Sequence, residues 1–186
     1  HHHYDHIGGN MELKRKYGSK IVAFKGDKNR IPEIDTLVED NQIWKKDNFE
    51  AKIYHIPGHT KGHIAFHFFN EKKIFTGDTL FSLGCGRIFE GTYEQMYNSL
   101  NKIKKLPKET EIYCGHEYTL KNSNFCIEQD SKNLKLQDKI LKVKERLKNG
   151  LPTVPTTLDE ELECNIFLKA QNIESFSKLR DLKDNF

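Results

Sequence analysis

Short apolar runs bounded by Gly, Asp or Pro recur through the first two thirds of the chain. They cover residues 20–24, 49–56, 63–69, 72–75 and 111–114, and three of them run into Pro57-Gly58, Gly77-Asp78 and Gly115-His116. Runs of this length, rich in aromatic and β-branched residues, predict strands. Between them, 11–17 and 93–106 predict helices, the second because Met96, Leu100, Ile103 and Leu106 recur at helical spacing. Mixed strands and helices predict a layered α/β core as far as His116. Beyond it the pattern turns helical. Segment 134–147 sets Leu134, Leu136, Ile140, Leu141, Val143 and Leu147 among lysines and stops at Asn149-Gly150 ahead of Pro152. Segments 157–170 and 173–182 predict two further helices, so the last third reads as a small helical unit that begins near Tyr118. No internal repeat and no low-complexity stretch interrupts this order.

Composition narrows the class without choosing a function. At 186 residues, 36% hydrophobic and 31% charged, the chain is long enough to bury a core and polar enough to be soluble. No apolar run approaches the roughly 20 residues of a membrane span. Thirty Lys and Arg against 27 Asp and Glu give a net charge of +3, too weak and too mixed to imply nucleic acid. Cys85, Cys114, Cys126 and Cys164 form no CxxC pair and fit a reducing compartment. The expectation is a monomeric cytoplasmic protein with four free thiols and no membrane or nucleic-acid partner.

The candidate chemistry sits just after the strand-like runs, at Pro57-Gly58-His59, Thr76-Gly77-Asp78 and Cys114-Gly115-His116. Strand ends on one edge of a sheet converge, and a Gly beside each polar residue lets it approach a common centre. An opening His-His-His would read as the remnant of a purification tag, except that Tyr4-Asp5-His6-Ile7-Gly8-Gly9 follows at once. His1 and His3, two apart, can point to one side of an extended chain, and a turn at Gly8-Gly9 can bring in Asp5 and His6. Imidazoles and carboxylates without thiolate favour zinc, iron or manganese over a structural Cys-type zinc site. No serine lies in a GxSxG context, so nothing points to a serine nucleophile. His2 at period two faces away from its neighbours, His63 fits a supporting role in its turn, and His55 and His67 read as strand residues.

The motifs His1-x-His3-x-Asp5-His6, Pro57-Gly58-His59-Thr60-x-Gly62-His63 and Phe75-Thr76-Gly77-Asp78-Thr79-Leu80-Phe81 resemble the metallo-β-lactamase superfamily. Within it, Gly84-Cys85-Gly86-Arg87-Ile88-Phe89-Glu90-Gly91-Thr92, Tyr113-Cys114-Gly115-His116-Glu117-Tyr118-Thr119, Pro152-Thr153-Val154-Pro155-Thr156-Thr157-Leu158 and the closing Arg180-x-x-Lys183-Asp184-x-Phe186 are similar to the glyoxalase II family, the hydroxyacylglutathione hydrolases. The resemblance implies an αββα sandwich over 1–117, without the strands that precede HxHxDH in the family, and a helical substrate-binding domain over 118–186. It implies two divalent metal ions, zinc first with iron or manganese as alternatives. His1, His3 and His59 would hold one, Asp5, His6 and His116 the other, and Asp78 would bridge them, which makes Asp5 and Asp78 the catalytic carboxylates. Two such ions roughly 3.5–4 Å apart acidify a shared water to a hydroxide at neutral pH. Its implied target is the thioester of a 2-hydroxyacylglutathione, chiefly S-D-lactoylglutathione, as in methylglyoxal detoxification. The leaving thiol, with a pKa near about 8.5, departs without a general acid.

Arg87, Phe89, Tyr118, Arg180 and Lys183 are the glutathione-binding residues that the resemblance implies. Two departures stand out. The family commonly has Tyr where Phe89 stands, and Asn-Pro-Phe where this chain has Asn165-Ile166-Phe167. The rival readings are another hydrolase of the superfamily, a sulfur dioxygenase sharing the HxHxDH segment, or a catalytically inert metal-binding domain. The first two lack the helical unit with its Arg-x-x-Lys ending.

Overall fold

The computed structural model describes residues 1–186. The opening histidines lead into a one-turn helix α1 (Tyr4–Ile7), so a helical turn already carries Asp5 and His6 ahead of Gly8-Gly9. Helix α2 (Asn10–Tyr17) follows and stops at Gly18 in the left-handed conformation. Strands β1 (Val22–Phe24) and β2 (Thr36–Val38) pair in parallel as a small sheet of their own.

The main sheet contains β3 (Ile43–Lys46), β4 (Phe49–His55), β5 (Ile64–Phe68), β6 (Lys73–Gly77), β9 (Glu111–Cys114) and β10 (Thr156–Thr157), in the order β10-β9-β6-β5-β4-β3. A two-residue hairpin of β7 (Leu80–Phe81) and β8 (Gly84–Cys85) and helix α3 (Tyr93–Ile103) connect β6 to β9. Because β4 and β6 are each antiparallel to β5, and β6 and β9 are parallel, β4, β6 and β9 all end on the same edge. The loops that start at Ile56, Asp78 and Gly115 therefore leave the sheet side by side.

Period-two alternation decides what each face of the sheet meets. One face presents Tyr54, Ala65, Ile74 and Ile112 to Met96, Leu100 and Ile103 of α3. Helix α3 is aimed there by a capping box in which Thr92 and Gln95 satisfy each other's backbone N–H groups. The other face carries Trp44, Ile53, Phe66 and Phe75, with Val22, Phe24 and Val38 packed over part of it.

The last third contains α4 (Thr119–Gln129), α5 (Leu134–Lys148), α6 (Leu158–Cys164), α7 (Ile166–Lys169) and α8 (Ile173–Asp184). It is not purely helical, since Thr156 and Thr157 add the edge strand β10 beside β9. The single helix expected over 157–170 is two, because Asn165 is extended (φ −87°, ψ 111°) and its side chain accepts from the Phe167 N–H. Phe125, Leu136, Ile140, Leu158, Phe167 and Phe176 from these helices join the same apolar cluster as Ile56, Ile74 and Ile112. The helical unit thus shares the core of the sheet, and its edge borders the strand ends. No helix is long and apolar enough to cross a membrane, and all four cysteines are free thiols.

Candidate metal centre and cleft

Seven donors meet where β4, β6 and β9 end. His59 follows β4, Asp78 follows β6 and His116 follows β9, while the opening segment and α1 supply His1, His3, Asp5 and His6. Close approach needs glycine at two of these strand ends. Gly77 has φ +49°, and a Cβ there would lie 2.7 Å from Cε1 of His63. A Cβ on Gly115 would lie 2.4 Å from Asp78 Oδ1 and 2.8 Å from His6 Cε1. The Gly115 N–H also donates to the Gly77 carbonyl at 2.8 Å, locking the two loops together.

Donor atoms of His1, His3 and His59 lie within 4.8 Å of one another, as do those of His1, His6 and Asp78, and those of Asp5, His6 and His116. His59 Nε2 faces His3 Nδ1 at 3.1 Å, and the Nε2 atoms of His6 and His116 face each other at 3.3 Å. Asp78 stands between the groups, with Oδ1 3.3 Å from His6 Nε2 and Oδ2 3.3 Å from His116 Nε2 and 3.5 Å from His59 Nε2. Burial works to raise the Asp78 pKa, but His6, His116 and His59 outweigh it and hold the carboxyl below its ordinary value.

Whether a cation fits can be judged from these atoms. His59 gives its Nδ1–H to the Arg87 carbonyl at 2.7 Å, and burial lowers its pKa. Its inward Nε2 is then a lone pair, so it faces the centre as an acceptor. His1 Nε2 and Asp78 Oδ1 are buried with no hydrogen-bond partner. Buried polar atoms without a partner are costly, and a cation among these donors would give both of them one. The nitrogen and oxygen donors present fit divalent metal.

The other histidines have different partners. His63 Nε2 accepts the Asp78 backbone N–H at 3.0 Å and stacks on His1, and burial lowers its pKa well below the ordinary value. His2 lies near Glu90 and the buried Asp27. His55 stacks on Phe24, and His67 is buried within β5.

A cleft of about 590 Å³ opens over Asp5, His59, Asp78 and His116. Arg87, Phe89, Tyr118, Arg180 and Lys183 all line it, together with Asp184 and Phe186 of the closing motif and with Lys121 and Asn122, which the sequence patterns did not single out. Phe89 lies edge-on to His59, and Tyr118 stacks on His116 with ring centres 4.8 Å apart. Arg180 and Lys183 are held differently on the cleft wall. Arg180 is only 4% exposed; its Nη1 donates to the Cys85 carbonyl at 2.8 Å and its Nη2 to Asp184 at 2.8 Å, while Nε has no partner. The Lys183 ammonium lies over the rings of Phe125 and Phe186. Burial lowers its pKa.

Comparison with known proteins agrees with this architecture. Residues 1–116 match the metallo-β-lactamase superfamily and residues 117–186 the hydroxyacylglutathione hydrolase C-terminus family. A hydroxyacylglutathione hydrolase of Pelagibacter ubique is 67% identical over all 186 residues, which span 78% of that relative. One from Prochlorococcus marinus (strain MIT 9301) is 47% identical over 99% of the chain and 76% of its own length. The fold is shared with the crystal structure of ETHE1 from Myxococcus xanthus, at a TM-score of 0.70 and 23% identity, over 97% of this chain and 65% of that one. With both halves matched and relatives this similar along its whole length, the chain belongs to the hydroxyacylglutathione hydrolase family of the metallo-β-lactamase superfamily.

Proposed function

We propose that the protein hydrolyses S-D-lactoylglutathione and related 2-hydroxyacylglutathiones to glutathione and the free hydroxy acid. The observation that carries this reading is one cleft with the donor cluster at its floor and Arg87, Lys121, Arg180 and Lys183 on its walls. A ligand with a hydrolysable acyl group and carboxylates on its carrier matches that division. Residues 1–117 form the hydrolytic unit and 118–186 supply most of the carrier's binding groups.

His1, His3 and His59 would hold one divalent ion, Asp5, His6 and His116 the other, and Asp78 would serve both. Zinc is the metal we favour, because it accepts imidazole and carboxylate alike. Such ions, when bound, polarise the acyl oxygen and acidify water. The chain's own part is positional. The Arg87 carbonyl fixes the tautomer and orientation of His59, and His63 fixes the backbone at Asp78. Phe89 and Tyr118 pack against His59 and His116 at the cleft and hold those rings in place. The testing experiment is a steady-state assay on S-D-lactoylglutathione beside a thioester whose carrier lacks both carboxylates. Turnover of the first, with a much higher KM for the second, is expected; absence of turnover by the metal-loaded protein rejects the reading.

Two substitutions probe the carrier. Lys183→Ala removes a cation whose neighbours are ring faces, and hydrogen bonds to a charged group are worth about 1.5–3 kcal/mol, so KM should rise about 10- to 150-fold. That binding is felt equally in the ground state and transition state, so kcat should hold. Equal effects on both thioesters would remove Lys183 from the carrier site. Phe89→Tyr places a hydroxyl at the cleft, and one added hydrogen bond, about 0.5–1.5 kcal/mol, should lower KM several-fold. An unchanged KM would show that the carrier passes residue 89 without a polar contact.

A further inference from the structure

One carboxylate stands among the cations of the cleft wall. Asp184 Oδ1 accepts from Arg180 Nη2 at 2.8 Å and from Arg87 Nε at 3.2 Å, and the Asp184 backbone carbonyl accepts from Arg87 Nη2 at 3.3 Å. A carboxylate gripped by two guanidiniums is the arrangement that a ligand carboxylate would adopt in the same place. We propose that Asp184 is an internal anion that competes with the substrate's carrier carboxylate for Arg87, and so sets affinity and anion selectivity at this cleft. The inference rests on the reading that the ligand is a glutathione thioester.

The two arginines differ in whether they can exchange partners. The Arg180 side chain is 5% exposed and tied to the Cys85 carbonyl, so letting go of Asp184 would strand a buried charge. The Arg87 side chain is 55% exposed and that of Asp184 29%. A solvent-facing arginine–carboxylate pair is weak and screened by salt, so Arg87 can trade Asp184 for an incoming carboxylate at little cost. Asp184 is also the last residue of α8, where the helix end allows its side chain to adjust. Meanwhile Lys183 and Lys121 line the same wall, and the ion pairs of Asp184 are with Arg87 and Arg180, which leaves the two lysines to receive the anion first.

Asp184→Asn keeps the size of the side chain and an acceptor for Arg180 while removing the charge. The probe is glutathione as a competitive inhibitor, beside its glycine ethyl ester, assayed at low salt and at about 0.5 M NaCl, where the screening length is only a few ångströms. The expected result is an inhibition constant for glutathione at least about threefold lower in Asp184→Asn at low salt, with the gain lost at high salt and KM falling in parallel. Asp184→Glu should return the constant toward the wild-type value. Arg87→Gln should weaken glutathione more in the Asp184→Asn background than in the wild type, because only there is Arg87 uncontested. An unchanged or raised inhibition constant, a gain indifferent to salt, or equal cost of Arg87→Gln in both backgrounds overturns the proposal. Wild-type protein that fails to hydrolyse the thioester would instead reject the functional reading beneath it.

Discussion

Asp78→Ala is expected to empty the metal centre and abolish hydrolysis together. Asp78 is the one side chain within 3.5 Å of His6, His59 and His116 alike, and it supplies the anionic oxygens between the two donor groups. Two ions held there would lose the one carboxylate placed between the two donor groups, leaving Asp5 beside His6 and His116 as the remaining anionic donor. Loss of a residue that merely supports a metal ligand costs about 10–100-fold, so loss of a shared ligand should cost at least about 100-fold in kcat. The metal readout is independent of the assay. After gel filtration the wild type should retain about two divalent ions per chain, as a two-metal site requires, and Asp78→Ala clearly fewer, with circular dichroism unchanged. A variant that kept both ions and near-normal turnover would show that Asp78 is not the shared ligand, however close it lies to the imidazoles.

What the sequence allows in advance follows from where its signals are local. Three of the seven donors, His59, Asp78 and His116, sit on turns punctuated by glycine at strand ends, the other four come from the opening segment and α1, and Gly77 and Gly115 have their reason in contacts with His63, Asp78 and His6. Helices α3 and α5 are legible because each has an apolar stripe over a core. Helix α4 is not, because its buried face is largely Thr119, Asn122, Ser123 and Cys126, with Phe125 the one large apolar side chain. Overlooking α4 also meant overlooking Lys121 and Asn122 in the cleft. Strands β2, β3 and β10 are too short to show alternation, and β10 exists only because β9 offers it an edge. Arg180 illustrates the deeper limit. Its place three residues before Lys183 says that the two share a helix face, but its burial depends on Cys85, 95 residues away.

The cleft also depends on a polar cluster that joins the helical unit to the hairpin beside the metal donors. Glu161 of α6 is fully buried and accepts five donors. On Oε1 these are Lys139 Nζ at 2.7 Å, the Thr156 hydroxyl at 2.8 Å and the Ser82 hydroxyl at 3.3 Å; on Oε2 they are the Leu83 N–H at 2.8 Å and Asn165 Nδ2 at 2.9 Å. Burial works to lower the Lys139 pKa, but the neighbouring Glu161 outweighs it and leaves it raised, so Lys139 is a buried ammonium at neutral pH. Such a pair contributes little net stability against an apolar alternative, yet breaking it from one side is expensive because the remaining charge stays buried.

Glu161→Ala should therefore cost about 3–5 kcal/mol in urea unfolding, a large part of a typical domain's stability. Glu161→Ala combined with Lys139→Met should recover much of that loss, since no orphaned ammonium remains. The local consequence is separable from the global one. Ser82 and Leu83 lie in the turn between β7 and β8, directly ahead of Cys85, whose carbonyl anchors Arg180. The double variant should regain stability but keep a raised KM, because the turn still lacks its acceptor. If Glu161→Ala unfolds within about 1 kcal/mol of the wild type, the cluster is not the clasp its hydrogen bonds suggest. If the double variant regains stability and KM together, Glu161 acts on the cleft only through the stability of the whole chain.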